Sequence, residues 1–133
     1  MRVAAVQFKA TKGAVEASRS ALVGLTDAAA TDAELVVLPE MAVTGYLFKD
    51  AAAVRAVAEA PSGPTFQALA PIAKARGCHV VCGFAEAARD RLFNSALVID
   101  PSGALAGVYR KTLLYEADLP WATPGDSGYA PGP

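Results

Sequence analysis

Apolar and polar positions follow two different rhythms along this chain, and the change of rhythm divides it. Residues 2–8, RVAAVQF, read as an opening strand, and Val15, Ser18, Leu22, Leu25 and Ala29 then recur at helical spacing, which predicts an amphipathic helix. Glu34 leads into LVVL, an unbroken apolar run of the kind a strand buried on both faces requires, and Pro39 ends it because proline cannot donate to a ladder. The alanine-rich AAAVRAVAEA predicts a second helix, closed by the breaker PSGP at 61–64. A third is expected over about residues 65–76, kinked or split by Pro71 and capped by Gly77. The rhythm then turns to strands: HVVCGFAE, LFNSALVID and ALAGVYRK, separated by AARDR and by the turn DPSG, predict an antiparallel meander. The order β-α-β-α-α-β-β-β implies a mixed sheet with helices packed on one face. The last stretch, LPWATPGDSGYAPGP, carries too many prolines and glycines for regular structure.

Composition narrows this picture. A chain of 133 residues is expected to form a single domain, 1–133, and its 53% apolar content overstates the core because so much of it is alanine. Twelve basic and thirteen acidic residues leave a net charge of -1 with no block of like charge, which argues against a nucleic-acid partner. No window is apolar for the length of a membrane span, and the first apolar run is too short for a signal sequence, so no membrane association and a cytoplasmic location are expected. Cys78 and Cys82 make no disulfide framework, and a reducing compartment suits them.

Few residues carry candidate chemistry. Glu40 follows a buried apolar run, where partial desolvation would lift a carboxylate toward the range of a general base; the alternative is a loop cap that accepts backbone N–H groups of residues 43–45. Lys111 stands at the end of the last predicted strand, where it can meet Glu40 at one rim of the sheet and stabilise a developing oxyanion, or else remain a solvated cation beside Arg110. Glu116 is a second carboxylate that would orient the lysine or a substrate, its plain alternative being an exposed loop acid. Cys78 and Cys82 flank His79 without the spacing of a metal site. On a strand both thiols would share a buried face with Val80, and His79 would point away toward solvent. Asn94 and Ser95 are expected to serve turn or ladder hydrogen bonding.

Taken in order, VAAVQF, LPEMAVTGY, GFAE, LFNSALVIDPSG, YRKTLL and TPGDSG resemble the front half of the nitrilase, or carbon–nitrogen hydrolase, family over nearly the whole chain. The TGY triplet is similar to amidase-type members. The resemblance implies an α/β fold, the four-layer αββα sandwich of that family, here only its N-terminal portion, with sheets of two subunits paired in a homo-oligomer. It implies a Glu-Lys-Cys hydrolase of a small-molecule amide or N-carbamoyl group, without cofactor or metal, that releases ammonia. Glu40 would match the family's general base, Lys111 its oxyanion-binding lysine and Glu116 its second acid, with Asp118 as a competitor for that last role. The family's nucleophilic cysteine lies beyond the lysine, and only 22 residues follow Lys111 here, none of them cysteine. The chain is therefore expected to be incomplete or to work with a complementary chain, and to be inactive alone. A non-catalytic module of the same fold and the glutamine-hydrolysing domain of an NAD synthetase stand as alternatives.

Overall fold

The computed structural model describes residues 1–126 and Gly128. Strands β1 (Val3–Ala5), β2 (Leu35–Val37), β3 (His79–Ala88), β4 (Arg91–Ile99) and β5 (Leu105–Arg110) lie side by side in chain order in one sheet. The first three are parallel, which requires crossovers: helix α1 (Val15–Ala29) joins β1 to β2, and α2 (Ala51–Arg55) and α3 (Pro64–Arg76) precede β3. The last three form the expected antiparallel meander. At its second turn Asp100 accepts hydrogen bonds from the backbone N–H groups of Ser102 and Ala104 and from the Ser102 hydroxyl, and Gly103 adopts φ 84°.

The register assigns the sheet's faces. Val36, Val80, Cys82, Phe84, Leu97 and Ile99 pack with Leu22 of α1 and with Leu69, Ile72 and Ala73 of α3 into the larger core. Cys78 joins this core, and His79 is exposed, as strand alternation predicts. On the opposite face a smaller core of Met41, Val54, Ala85, Leu92 and Trp121 covers one end of β3 and β4. Elsewhere that face is open: Val3 is 55% exposed, and Val37, Val81, Ala96 and Val98 are only half-buried. The described residues thus supply one sheet, covered by α1 and α3 on one face and only at one end on the other.

Three expectations are corrected. The buried stripe of α1 passes through Ser18, Arg19, Leu22 and Thr26, while Leu25 is exposed. Arg19 is tolerated there because its guanidinium bonds Glu59, Glu16 and Thr65. The alanine-rich helix closes after Arg55, because Glu59 is drawn into a bridge beside β3, donating its N–H to Ala85 and accepting from Ala87. This short helix packs its Val54 on the face opposite α1 and α3, so the helices do not all share one side. Pro71 lies inside α3 and does not split it, whereas Gly77 caps the helix at φ 64°, as expected. The irregular tail holds through Asp126; Ser127 and residues 129–133 lie outside the described residues.

Candidate active site

Glu40 owes its position to a close approach of two backbones. The ladder outlasts β2: Leu38 donates to the Val81 carbonyl, and Pro39, unable to donate, accepts from the Gly83 N–H at 3.1 Å. Gly83 in turn accepts from Ala42. A Cβ at position 83 would stand 2.5 Å from the Glu40 Cα, so only glycine lets β3 run this close. The chain then turns sharply through Met41, a buried residue at φ 49°, a left-handed conformation that costs a non-glycine residue about 1–3 kcal/mol. The turn is held by the Gly45 N–H on the Met41 carbonyl.

Four side chains meet Glu40 or its partners. Lys111, placed by β5, donates from Nζ to Glu40 Oε1 at 2.8 Å, to Asp118 Oδ2 at 2.8 Å and to the Tyr46 hydroxyl at 3.3 Å. Asn94 of β4 donates from Nδ2 to Glu40 Oε1 at 2.6 Å and to Asp118 Oδ1 at 2.9 Å. The Tyr46 hydroxyl donates to Asp118 Oδ1 at 3.0 Å. Asp118 itself is completely buried and takes the Tyr115 N–H on Oδ2. Its turn is fastened by Trp121, which donates to the Asp118 carbonyl from its backbone and to Ala117 from its indole, and meets Phe48 edge to face. Glu40 Oε2 accepts no hydrogen bond from the described residues and is the open oxygen of the group.

The charges follow from these contacts. Burial alone would push the Lys111 amine down, yet hydrogen bonds to Asp118, Glu40 and Tyr46 outweigh it and hold the group above the usual lysine range. Burial would raise Asp118; the bonds from Lys111, Asn94, Tyr115 and Tyr46 reverse this and keep its carboxyl below the ordinary range. Burial raises the Tyr46 hydroxyl. Lys111 is therefore a cation and Asp118 an anion throughout the neutral range.

Glu40 and Lys111 are thus brought together, and the loop-cap alternative for Glu40 gives way to bonds from side chains. The desolvation expected for Glu40 is not found, since its side chain is 47% exposed. Glu116 is exposed and bonds none of the described residues; the buried acid beside Lys111 is Asp118. The turn that Trp121 anchors directs Asp118 inward and leaves Glu116 in solvent. Asn94 and Tyr46 went unassigned to the site by sequence reasoning. Asn94 is buried within β4 and spends its amide on two carboxylates, and its only signal was its place in the LFNS motif.

Cys78 and Cys82 are free thiols in the helix-side core, away from this group. Burial pushes Cys78 up and Cys82 up to about 12, so neither presents a thiolate. Among the described residues no cluster of His, Cys, Asp and Glu is suited to a metal ion, and no helix is long and apolar enough to cross a membrane. Two depressions flank Glu40. One, of about 210 Å³, is lined by Asn94, Lys111, Tyr109 and the open sheet face; the other, of about 370 Å³, runs between the β1–α1 loop and the turn after Glu40.

Comparison with known proteins identifies the family and the fold. The chain is 39% identical over 106 residues to a nitrilase of Pyrococcus abyssi, covering 79% of this chain and 40% of that protein. It is 32% identical to the protein N-terminal amidase of Schizosaccharomyces pombe, covering 94% of this chain and 47% of that one. It therefore spans less than half the length of these relatives. A solved N-terminal amidase superposes with a TM-score of 0.81 at 27% identity, over 91% of this chain and 30% of that structure. An amidase from Nesterenkonia sp. shares the fold with a TM-score of 0.74 at 22% identity, over 96% of this chain and 49% of that structure. The carbon-nitrogen hydrolase family profile matches residues 2–129, and the chain belongs to that family.

Proposed function

We propose that Glu40, Lys111 and Asp118 form the acid–base and oxyanion-binding part of an amide-hydrolysing site, completed by a cysteine thiol from polypeptide outside these 133 residues. The observation that carries this reading is the convergence of Lys111 on Glu40 and Asp118 from distant parts of the sequence, with Glu40 Oε2 left open. The substrate is a non-peptide amide or an N-carbamoyl group. The thiol gives its proton to Glu40 Oε2 and attacks the carbonyl carbon; Lys111 stabilises the oxyanion of the tetrahedral intermediate; Glu40 returns the proton to the nitrogen as the C–N bond breaks, which releases ammonia and forms a thioester. Water, deprotonated by Glu40, then cleaves the thioester to the acid and restores the thiol.

Lys111 has three N–H donors, and Glu40, Asp118 and Tyr46 occupy all of them. A developing oxyanion must displace one, and the Tyr46 hydroxyl at 3.3 Å holds the weakest claim. Asp118 is a positioning residue in this scheme, because it fixes the lysine and Asn94 without facing the open oxygen. Glu116, at its exposed place, has no part in it. A cytoplasmic location and assembly into a homo-oligomer belong to the same reading, the first supported by the free thiols of Cys78 and Cys82.

The test is ammonia release by the product of the complete coding frame on a panel of simple amides, carbamoyl amino acids, glutamine and nitriles. Peptides beginning with Asn or Gln join the panel because solved N-terminal amidases hold such peptides. Lys111→Ala is expected to cost about 10²–10³-fold in kcat, as loss of an oxyanion-hole donor does, and Glu40→Gln about 10²–10⁴-fold, as loss of a general acid–base group does. Unchanged turnover in both variants overturns the assignment. One observation favours a second reading, a non-catalytic module of the same fold: both thiols of this chain are sealed in the core. A coding frame that supplies a cysteine at a strand-to-helix turn eliminates it.

A further inference from the structure

We infer that the larger depression beside Glu40 is a subsite for the anionic end of the substrate, with Lys9 and Lys12 as its charge-selective residues. The inference rests on the amide-hydrolase reading above and adds the class of amide: one that carries a carboxylate at its far end.

The depression is built by two anchored segments. The β1–α1 loop is tied down by Ser18, buried on α1, whose hydroxyl accepts the Thr11 N–H at 3.0 Å and donates to the Thr11 carbonyl at 3.5 Å. The turn after Glu40 faces it closely, since a Cβ at Gly45 would stand 4.0 Å from that of Ala10. Between them lies a cleft of about 370 Å³, a volume typical of small-molecule sites, and most of its wall is apolar.

The charges in that wall are unbalanced. Its ionisable groups are Lys9, Lys12, Glu40 and Tyr46. Glu40 is already engaged by Lys111 and Asn94, and Tyr46 by Lys111 and Asp118. Lys9 and Lys12 bond none of the described residues, so two exposed ammonium groups edge the cleft with no acid among the described residues to answer them. A ligand whose amide lies at Glu40 and Lys111 would extend an apolar body along the cleft and end at these cations. A carboxylate there gains from both, and a cationic end is repelled.

The experiment uses the product of the complete coding frame and three primary amides of similar length: glutaramate, neutral hexanamide and cationic aminovaleramide. For glutaramate kcat/KM is expected to exceed that for hexanamide by about tenfold, the effect of two solvent-exposed charge pairs, with aminovaleramide the poorest. The Lys9→Gln/Lys12→Gln variant is expected to lose that advantage through KM while its kcat, and its turnover of hexanamide, stay the same. Added salt is expected to shrink the preference in the native protein. Equal kcat/KM for the three amides, or a preference that survives the double substitution, overturns the inference. If none of them is hydrolysed, the proposed function is decided by its own wider panel, and the subsite is read from binding alone. Glutaramate should shift the backbone amide resonances of Ala10 and Gly45, and the double variant should abolish the shifts. Absence of such binding by the native protein overturns the subsite as well.

Discussion

Lys111 sits between two carboxylates, and burial divides their roles. Glu40 is half in solvent with one oxygen open, whereas Asp118 is sealed and has all its bonds made inside the protein. Asp118→Asn removes the charge that balances Lys111 and turns an acceptor into a donor facing other donors. We expect it to destabilise the fold by about 1–3 kcal/mol in urea unfolding and to lower kcat, with Glu116→Gln silent in both. The pH dependence of the pair has a definite sign. Asp118 lies below its ordinary 3.8 in the folded state, so its contribution is full above that pH and is lost as pH falls through the depressed value. Lys111 lies above its ordinary 10.5, so its contribution is full below that pH and is lost as pH rises through the raised value. Between the two the pair's contribution is constant. Unfolding midpoints measured from neutral to acid pH should show a shallower acid loss in Asp118→Asn than in the native protein; parallel curves would refute the assignment. At this scale Glu40 and Lys111 were legible from sequence because each stands at the end of a predicted strand. Asn94 and Tyr46 were not, because an amide and a phenol inside apolar motifs look like ordinary strand and loop residues until their partners are known.

At the scale of elements, the site depends on β3 running beneath the turn that carries Glu40. Gly83 is the contact point, and a methyl group there would collide with Pro39, Glu40 and Met41 backbone atoms that have no free direction to move. Gly83→Ala is therefore expected to cost about 1–3 kcal/mol of stability, the range for overpacking, and to lower kcat by displacing Glu40. A stable, fully active variant would show that the turn is more compliant than its bonds suggest. The strands of the meander were readable because the polar AARDR and the turn DPSG separate three largely apolar runs. The helices were less so. Alanine satisfies a helix anywhere, so the helical propensity of residues 51–60 gave no stopping point. Only the bridge of Glu59 to β3 ends α2 early. Arg19 belongs on the buried face of α1 because Glu59 and Thr65, on a different segment, accept its hydrogen bonds.

For the molecule as a whole, the sheet is finished on one side and unfinished on the other. The helix-facing side is closed by α1 and α3, and the far side exposes Val3 and leaves Val37, Val81, Ala96 and Val98 half-covered. A chain of residues 1–133 prepared alone is expected to bind a hydrophobic dye and to associate, as large exposed apolar patches do. A monomer that unfolds cooperatively and leaves the dye dark would count against the sandwich needing further layers. The sequence by itself determined the order of elements, the family and the two charged residues at the sheet rim, because periodicity, turn chemistry and motif order are local properties of the chain. Tertiary structure alone decided that Asp118 rather than Glu116 meets the lysine, that Asn94 and Tyr46 complete the group, and that two lysines of the first loop edge the cleft beside Glu40. Those facts depend on which segments pack against one another, and a hydrogen bond between residues far apart in the chain leaves no periodic mark on either.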